Sequence, residues 1–271
     1  MVAKSIQANT DIVSLSYRAD SEISDELRSG HSHDRYEISL VVGGRGKYTV
    51  EGQEYELSER TVAFIPPLSY HCCFLDGGDF ERYVIHFGSG AILSDVKAAF
   101  AAIDGEARFY PPSVVSDAMI SVFMRLEGAN ALSSQEERDS YMKLLLGELI
   151  FLLSVARADS TARDEGELGA RVIRYLNENI TADISLDRLA KRFFVSKYYL
   201  CRAFKRHNGI SIHSYVTQKR VLYAKQLIEE GETASGAAYR VGFGDYSAFY
   251  RAYMKIVGAS PAGAQTRRGR S

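Results

Sequence analysis

The stretch "LAKRFFVSKYYLCRAFKRHNG", Leu189–Gly209, predicts two short helices joined by a tight turn. Ser196 is a good N-cap for the second helix, and glycine is the residue type that ends a helix in the left-handed conformation. Leu200 and Phe204 are four residues apart, so they share the face of that helix that packs inward. A helix, a tight turn and a second helix form the unit that places its second helix in the major groove of DNA.

The same pattern recurs further along the chain in "VGFGDYSAFYRAYMK", Val241–Lys255, with Gly242 in the turn and Asp245 at the start of the new helix. The string "LCRAFK" at Leu200–Lys205 is echoed there by "FYRAYMK" at Phe249–Lys255. The segment "HSYVTQKRVLYAKQLIEEG" between them predicts one long helix that fixes their separation. Two recognition helices held about 34 Å apart can enter successive major grooves on one face of the duplex.

Charge is distributed unevenly along the 271 residues, although the formal net charge is only -1. Residues 1–160 carry a net charge of −10 and residues 161–271 a net charge of +9, and the segment from residue 185 onward reaches +11. A basic half of this kind favours binding to a polyanion through counterion release from phosphates. A helical bundle with a solvated basic face would explain the charge, but it would not explain the repeated helix-turn-helix pattern.

These motifs resemble the DNA-binding domain of the AraC/XylS family, which has two helix-turn-helix units joined by a linker helix. The resemblance covers residues 170–268 and rests on the two quoted stretches together with "RVLYAKQLI". It implies DNA contacts from side chains of the two recognition helices: Ser196, Tyr198, Cys201, Arg202, Lys205, Tyr246, Ser247 and Arg251. The two arginines are the strongest candidates, because the guanidinium fork matches O6 and N7 of guanine.

The sequence departs from the family pattern at three places. Phe194 stands in a turn where the family commonly has glycine, "GISIHSY" replaces a junction that usually contains proline, and "SPAGAQTRR" lacks the customary aromatic residue after its proline. These differences concern local geometry and leave the resemblance in place.

Among the implied DNA contacts, Cys201 is the weakest. It is short and a poor hydrogen-bond donor, so contact with a thymine methyl, or no contact, is an equally good interpretation of it.

The first part of the chain has a different residue pattern, one that is typical of β-strands. From His33 to Phe87, short apolar runs such as "YEISLVV" and "ERYVIHF" are separated by Gly, Pro or charged turns, which predicts an antiparallel sandwich or barrel. In a strand, His31, His33 and Glu37 share one face, and His71 comes from a later strand. Imidazole and carboxylate groups that converge on one interior point suit a transition metal.

The strings "HSHDRYEISLVVGG" and "PPLSYH" resemble the two motifs of the cupin barrel, with Leu68 where the second usually has glycine. The order of barrel, helices and paired helix-turn-helix units resembles whole AraC-family regulators with an arabinose-type sensor domain. This resemblance implies an organic effector, with candidate contacts at His33, Glu37, Tyr48, His71 and Arg82. The competing interpretation is a divalent transition metal on His31, His33, Glu37 and His71. No other cofactor is expected, and His86 is interpreted as a core histidine.

The expected fold class is therefore α+β and multidomain. A cupin-like barrel with flanking helices precedes an all-α domain with two helix-turn-helix motifs. The expected divisions are a sensor barrel at 1–90, a helical dimerisation or packing segment at 91–158, a polar linker at 159–168 and the DNA-binding domain at 169–271. The apolar stripe of the long helix near residues 134–158 suits either a dimer interface or packing on its own barrel, and the sequence favours neither.

The expected function is sequence-specific regulation of transcription, in which the barrel senses a small molecule and modulates promoter binding. One alternative is a metal-dependent cupin enzyme, an oxygenase or isomerase, fused to a DNA-binding domain. Another is a ligand-independent regulator whose barrel serves only for dimerisation. The leading hypothesis is not an enzyme, and its partners are double-stranded promoter DNA, a small-molecule effector, RNA polymerase and a second copy of the chain.

A cytoplasmic location without membrane contact is expected. The first 30 residues lack the apolar core of a signal peptide, and no apolar run approaches the length of a membrane span. The three cysteines form no disulfide framework and no metal-binding CxxC pair.

Overall fold

The computed structural model of the chain describes residues 6–9, 12–20, 30–76, 79–156 and 168–261. The linker expected at 159–168 lies outside these ranges except for Leu168, which begins a helix. Within the described ranges no helix is long and apolar enough to cross a membrane.

The first half of the chain forms two antiparallel sheets. Its strands are β1 (Ile6–Asn9), β2 (Val13–Asp20), β3 (Tyr36–Gly43), β4 (Arg45–Val50), β5 (Gln53–Ser58), β6 (Val62–Ile65), β7 (His71–Leu75), β8 (Phe80–Phe87) and β9 (Arg108–Tyr110). One sheet has the strand order β1-β2-β8-β3-β6-β9, and the other has the order β5-β4-β7. Every pair of neighbouring strands is antiparallel, as the short alternating runs predict.

The two faces of the larger sheet have different partners. Ile38 and Leu40 of β3 belong to a core shared with the helices that follow the strands. Val41 of β3 and Ile65 of β6 belong to a second core, which residues of the smaller sheet such as Val50 complete. The larger sheet is therefore a layer between the smaller sheet and a helical layer, and the interior of the β-domain lies between the two sheets.

The helical layer consists of α1 (Lys97–Ile103), α2 (Asp117–Glu127) and α3 (Gln135–Val155). A capping box starts α3, in which Ser134 accepts from the Glu137 amide and the Glu137 carboxylate accepts from the Ser134 amide. The stripe that contains Leu145 and Leu149 is buried in the core of its own β-domain. Of the two interpretations open from the sequence, packing on its own domain is the one observed for this stripe.

The second half of the chain is entirely helical in its described residues. Its helices are α4 (Leu168–Glu178), α5 (Leu186–Arg192), α6 (Lys197–Asn208), α7 (Ile212–Glu229), α8 (Ala234–Arg240) and α9 (Tyr246–Val257). The first turn of α7, with Ile212 and Tyr215, packs into a core with α4, α5 and α6. The later part of α7, with Val221 and Leu227, packs with α8 and α9. One long helix thus carries two small helix-turn-helix units.

The second helices of the two helix-turn-helix units end in the same way, and the turns before them have similar backbone geometry. Helices α6 and α9 both have 12 residues, and each stops at a left-handed glycine, Gly209 or Gly258. In the turn before α6 the backbone at Phe194 has φ of 55°, and in the turn before α9 Gly242 has φ of 94°. Phe194 therefore holds the turn position of Gly242, in a backbone region that disfavours residues with a Cβ atom.

Replacing Phe194 by glycine should stabilise the protein by about 1 kcal/mol, because a side chain in the left-handed region costs about that much. The Phe194 side chain is 94% exposed, so its removal loses little packing. Urea unfolding of the full chain at neutral pH measures the change.

The matched control is Gly242→Ala. It should destabilise the protein, since a Cβ there would lie 2.9 Å from the backbone oxygen of Thr181 in addition to the strained φ. Equal unfolding midpoints for parent and Phe194→Gly would contradict the assignment of strain to this turn.

Candidate DNA interface and histidine cluster

The first recognition helix, α6, separates a buried face from an exposed one. Leu200 and Phe204 are fully buried, as their spacing predicts. Tyr198 is 70% exposed, Arg202 is also exposed, and the Arg202 Nη1 atom donates to the Tyr198 hydroxyl over 3.3 Å. The guanidinium carbon lies 5.6 Å from the centre of the Tyr198 ring. The tyrosine therefore holds the arginine in place on the solvent side of the helix.

The remaining predicted contacts of α6 differ in accessibility. Lys205 and Ser196 are exposed, and the Ser196 hydroxyl caps the helix by accepting from the Tyr199 amide over 3.2 Å. Cys201 is only partly exposed. Tyr199, which sequence reasoning did not select, is exposed as well.

The second recognition helix, α9, repeats this arrangement. Asp245 caps it by accepting from the amides of Ser247 and Ala248. Ser247 and Arg251 are exposed, whereas Tyr246 is half-buried with its ring 5.7 Å from that of Phe249.

Sequence reasoning missed one exposed residue of α9. Tyr250 is exposed and, when "LCRAF" is laid on "FYRAY", it takes the position of Cys201. The internal repeat could have identified Tyr250, since Tyr250 occupies the repeat position of Cys201, which was predicted to contact DNA.

A cluster of histidines surrounds one buried carboxylate in the β-domain. The Glu37 Oε2 atom lies 3.3 Å from His33 Nε2, 3.1 Å from His86 Nε2 and 3.7 Å from His71 Nε2. The other oxygen, Oε1, accepts from the Tyr48 hydroxyl over 3.0 Å, and Arg82 Nη1 donates to that hydroxyl over 3.2 Å. The five effector candidates of the sequence, namely His33, Glu37, Tyr48, His71 and Arg82, are thus brought together.

Burial and charge set the ionisation of this cluster. Burial acts to raise the pKa of Glu37, but the contacts from His33 and His86 and the proximity of His71 outweigh it and hold that pKa well below its usual value. Burial lowers the pKa of His71 to about 4, so this ring is neutral at pH 7. Burial also acts to lower the pKa of Arg82, but Tyr48 and Glu37 outweigh it and keep that pKa raised.

Two expectations about the histidines are corrected by the structure. His86 is not a core residue: its register partner in the sheet is Glu37, and its side chain is 29% exposed. Strand periodicity does not bring His31 and His33 to the site either, because β3 begins only at Tyr36. His31 instead reaches the cluster through an isolated β-bridge to His71, with the two rings 4.5 Å apart.

The β-domain contacts the helical half at the turn between β4 and β5. Glu51 lies in this turn, and its carboxylate accepts from the Tyr70 amide, Asn177 Nδ2, the Tyr215 hydroxyl and Lys219 Nζ. The first of these donors belongs to the β-domain, and the other three belong to α4 and α7. One carboxylate therefore bonds both halves of the molecule.

A second contact joins the recognition helix itself to the β-domain. The Tyr70 hydroxyl donates to the backbone oxygen of Asn208, the last residue of α6, over 2.6 Å. Gly52 lies against α4 so closely that a Cβ atom there would be 2.8 Å from Ala170 Cα, and its φ is 80°. Only glycine fits this approach.

Comparison with known proteins matches both halves of the chain. Residues 16–146 match the model of the AraC-like ligand binding domain, and residues 189–267 match a helix-turn-helix domain. The chain belongs to the AraC family of transcriptional regulators. As a member of this family it is a DNA-binding regulator with a ligand-binding domain, and not an enzyme.

Named relatives of this AraC-family chain are themselves transcriptional regulators. It is 26% identical to the HTH-type transcriptional regulator YbfI of Bacillus subtilis, over 80% of this chain and 79% of that protein. It is 24% identical to the HTH-type transcriptional activator RhaS of Escherichia coli, over 85% of each. A structure of ToxT from Vibrio cholerae aligns with 94% of this chain and 98% of its own at 12% identity, with a TM-score of 0.39.

Replacing Glu51 by alanine should lower the free energy of unfolding by about 1–3 kcal/mol, because partly buried donors lose their acceptor. The backbone at Glu51 already has φ of 47°, and alanine keeps that conformation, so the change isolates the carboxylate. Urea unfolding measures the loss, and hydrogen exchange at the Tyr70 amide should become faster.

The control is Glu59→Ala, which removes the same charge from an exposed position in the neighbouring turn. It should leave both the unfolding free energy and the exchange rate near the parent values. Equal effects from the two substitutions would show that Glu51 acts only through surface charge.

Proposed function

We propose that the chain reads promoter DNA with both recognition helices at once. Direct base contacts come from Tyr198, Cys201, Arg202, Tyr246, Ser247 and Arg251, with Ser196 and Lys205 at the phosphates. The observation that carries the proposal is the matched pair α6 and α9. Each has 12 residues, a capped start, a buried aromatic or aliphatic pair and an exposed arginine at the same repeat position.

The electrostatics of this half support the same proposal. Exposed Arg202, Lys205 and Arg251 stand on helices that carry few acidic residues, within a segment whose net charge is +11. Arginine in a major groove can donate two bonds to one guanine, whereas lysine acts as a point charge on the phosphates. The two residue types therefore have different tasks and should give different phenotypes.

Regulation by an effector completes the proposed function. The effector binds at the cluster of His33, Glu37, Tyr48, His71 and Arg82. Its binding shifts the equilibrium between different arrangements of the helical half relative to the β-domain. Glu51 and Tyr70 provide the contact through which such a shift reaches α6. The regulator acts in the cytoplasm, where promoter DNA and RNA polymerase meet, and RNA polymerase is its partner at the promoter.

The proposed assembly is a homodimer formed through α3. Leu144, Phe151 and Val155 are exposed on this helix, in contrast to its buried stripe. Their spacing of seven and four residues aligns them along one side, as in a helix that pairs with a second copy. Two copies would place two pairs of recognition helices on one operator.

Arg202→Ala and Arg251→Ala should each weaken binding to the specific operator by about 1–3 kcal/mol and relax base preference at the position that the arginine reads. Lys205→Ala should instead weaken binding to all sequences and reduce the salt slope by about one. The operator is obtained by selection of bound DNA from a random pool, and fluorescence anisotropy over a salt series measures affinity.

The control for charge is Arg125→Ala, which removes a partly exposed arginine, paired with Glu148, from α2 in the other half of the protein. It should leave operator affinity unchanged. Parent specificity in both recognition-helix arginine variants would refute the assignment of α6 and α9 as readers.

Phe151→Asp should convert the dimer to a monomer, because it places a charge on the proposed apolar contact. Sedimentation velocity measures the oligomeric state. Tyr239→Asp is the control, since Tyr239 is equally exposed but belongs to α8. A parent chain that sediments as a monomer, or a Phe151→Asp variant that stays dimeric, would rule out this interface.

A further inference from the structure

We propose that the histidine cluster binds one divalent transition-metal ion, and that this ion controls how the β-domain holds the first recognition helix. The ligands are Glu37 Oε2 and the Nε2 atoms of His33, His71 and His86. This inference rests on the proposed function, because it names the chemical class of the effector. The set differs from the one that the sequence motif suggests, since His86 takes the place of His31.

The ligand atoms lie close to the spacing that a single ion requires. Nitrogen and oxygen ligands about 2.1 Å from a metal lie about 3 Å apart in octahedral and about 3.4 Å apart in tetrahedral coordination. The Nε2 atoms of His86 and His33 lie 3.1 and 3.3 Å from Glu37 Oε2, and ligand atoms of these three residues all lie within 4.8 Å of one another. His71 Nε2 lies 3.7 Å from the same oxygen. Three ligands are therefore grouped for one ion, and His71 becomes the fourth by moving toward Glu37.

Hydrogen bonds on the outer side of two rings orient them toward Glu37. His33 Nδ1 lies 2.9 Å from the backbone oxygen of Arg35, and His71 Nδ1 lies 2.9 Å from that of Ser69. A carbonyl oxygen can only accept, so each Nδ1 carries the proton that it donates, and Nε2 is the atom of each ring left for a ligand bond, as in histidines that bind metals. The Nε2 atoms of His33 and His86 lie within hydrogen-bond distance of Glu37 Oε2, and an ion that binds them takes the place of the shared proton.

One buried nitrogen of the cluster has no hydrogen-bond partner among the described residues. It is Nε2 of His71, a residue that is 1% exposed. With the proton on Nδ1, this nitrogen presents a lone pair to the Glu37 carboxylate, which is also an acceptor. Two buried acceptors that face each other are costly, and a cation between them removes the cost.

The ligand types identify the class of ion. Three imidazoles with one carboxylate suit Zn²⁺, Fe²⁺, Ni²⁺ or Cu²⁺. Ca²⁺ and Mg²⁺ are disfavoured, because both prefer shells made of oxygen atoms. Arg82 does not block the ion, since its bond goes to Tyr48 on the side of Glu37 Oε1, away from Oε2.

The path to the DNA-binding half is short and runs through the backbone. His71 exchanges two backbone hydrogen bonds of 2.9 Å with His31, and it directly follows Tyr70. The Tyr70 amide donates to Glu51, and its hydroxyl donates to Asn208 at the end of α6. An ion that draws His71 toward Glu37 therefore acts on the neighbouring residue Tyr70, which bonds both the interdomain carboxylate and the recognition helix.

Metal binding is tested on the full chain after removal of metals with a chelator and dialysis. Titration calorimetry with Zn²⁺, Ni²⁺, Co²⁺ and, without oxygen, Fe²⁺ should give one ion per chain, and bound Co²⁺ should show visible ligand-field absorption. Glu37→Gln and His86→Ala should each lower the affinity at least about tenfold. His86 is partly exposed, so its variant should fold, and thermal melting without metal checks this.

The matched control for metal binding is His213→Ala, which removes an exposed histidine of α7. It should keep the parent affinity. Binding of none of the four ions at one per chain would overturn the site. Uptake that survives both Glu37→Gln and His86→Ala, or that His213→Ala abolishes, would overturn it too and show an adventitious ion only.

Coupling is tested by operator affinity with and without the ion at constant ionic strength. The expected change is about 5- to 150-fold. Tyr70→Phe, which removes only the hydroxyl bound to Asn208, should keep the metal affinity and reduce this ratio. Equal operator affinity of the parent in both conditions would overturn the coupling.

The two proposals fail in distinguishable ways. A chain that binds no metal but selects a specific operator overturns the metal site and leaves the proposed function standing. A chain that selects no operator overturns the proposed function. The number of ions bound per chain still tests the metal site, because that measurement does not involve DNA.

Discussion

The carboxylate of Glu51 is the interaction on which the arrangement of the two halves depends. It lies at the tip of the β4–β5 hairpin and accepts from one backbone amide of its own domain and from Asn177, Tyr215 and Lys219 of the helical half. A partly buried carboxylate with several donors is strongly held, because each lost bond leaves a desolvated group without a partner. The absence of a Cβ atom at Gly52 allows α4 to approach this point.

In the proposed function, the same contact lets a small ligand influence DNA binding over a distance. The buried cluster around Glu37 and the interdomain contact at Glu51 are connected through the adjacent residues Tyr70 and His71. The hydroxyl of Tyr70 reaches the C-terminal end of α6, and not the N-terminal start that is proposed to face DNA. Coupling of this kind requires no long chain of contacts, since one short segment belongs to both sites.

The two recognition units are alike in architecture and unlike in detail. The first has Phe194 in its left-handed turn and Cys201 at a reader position, where the second has Gly242 and Tyr250. The first unit contacts the β-domain through Glu51 and Tyr70. The later part of α7, which packs with the second unit, contacts the β-domain through an ion pair of Lys225 with Asp34. Both units are therefore held against the β-domain, but by different residues.

Sequence alone determined the helical half almost completely. Caps at Ser196 and Asp245, glycine stops and the four-residue spacing of Leu200 and Phe204 are local signals, and local signals fix helix bounds and inner faces. The cluster in the β-domain is different. His86 joins it only because β8 pairs with β3 in one register, and His31 only through a bridge to His71.

The contact between the halves was also decided by tertiary structure alone. Nothing near Glu51 in the sequence distinguishes it from the other acidic residues of its hairpin, because its partners in the helical half, Asn177, Tyr215 and Lys219, are 126, 164 and 168 residues away. Hydrophobic periodicity and helix capping depend on residues that are close together in the chain, so they can be predicted from the sequence. Strand register and domain docking depend on surfaces that exist only after folding, and these surfaces determine which histidines meet and which carboxylate joins the two halves.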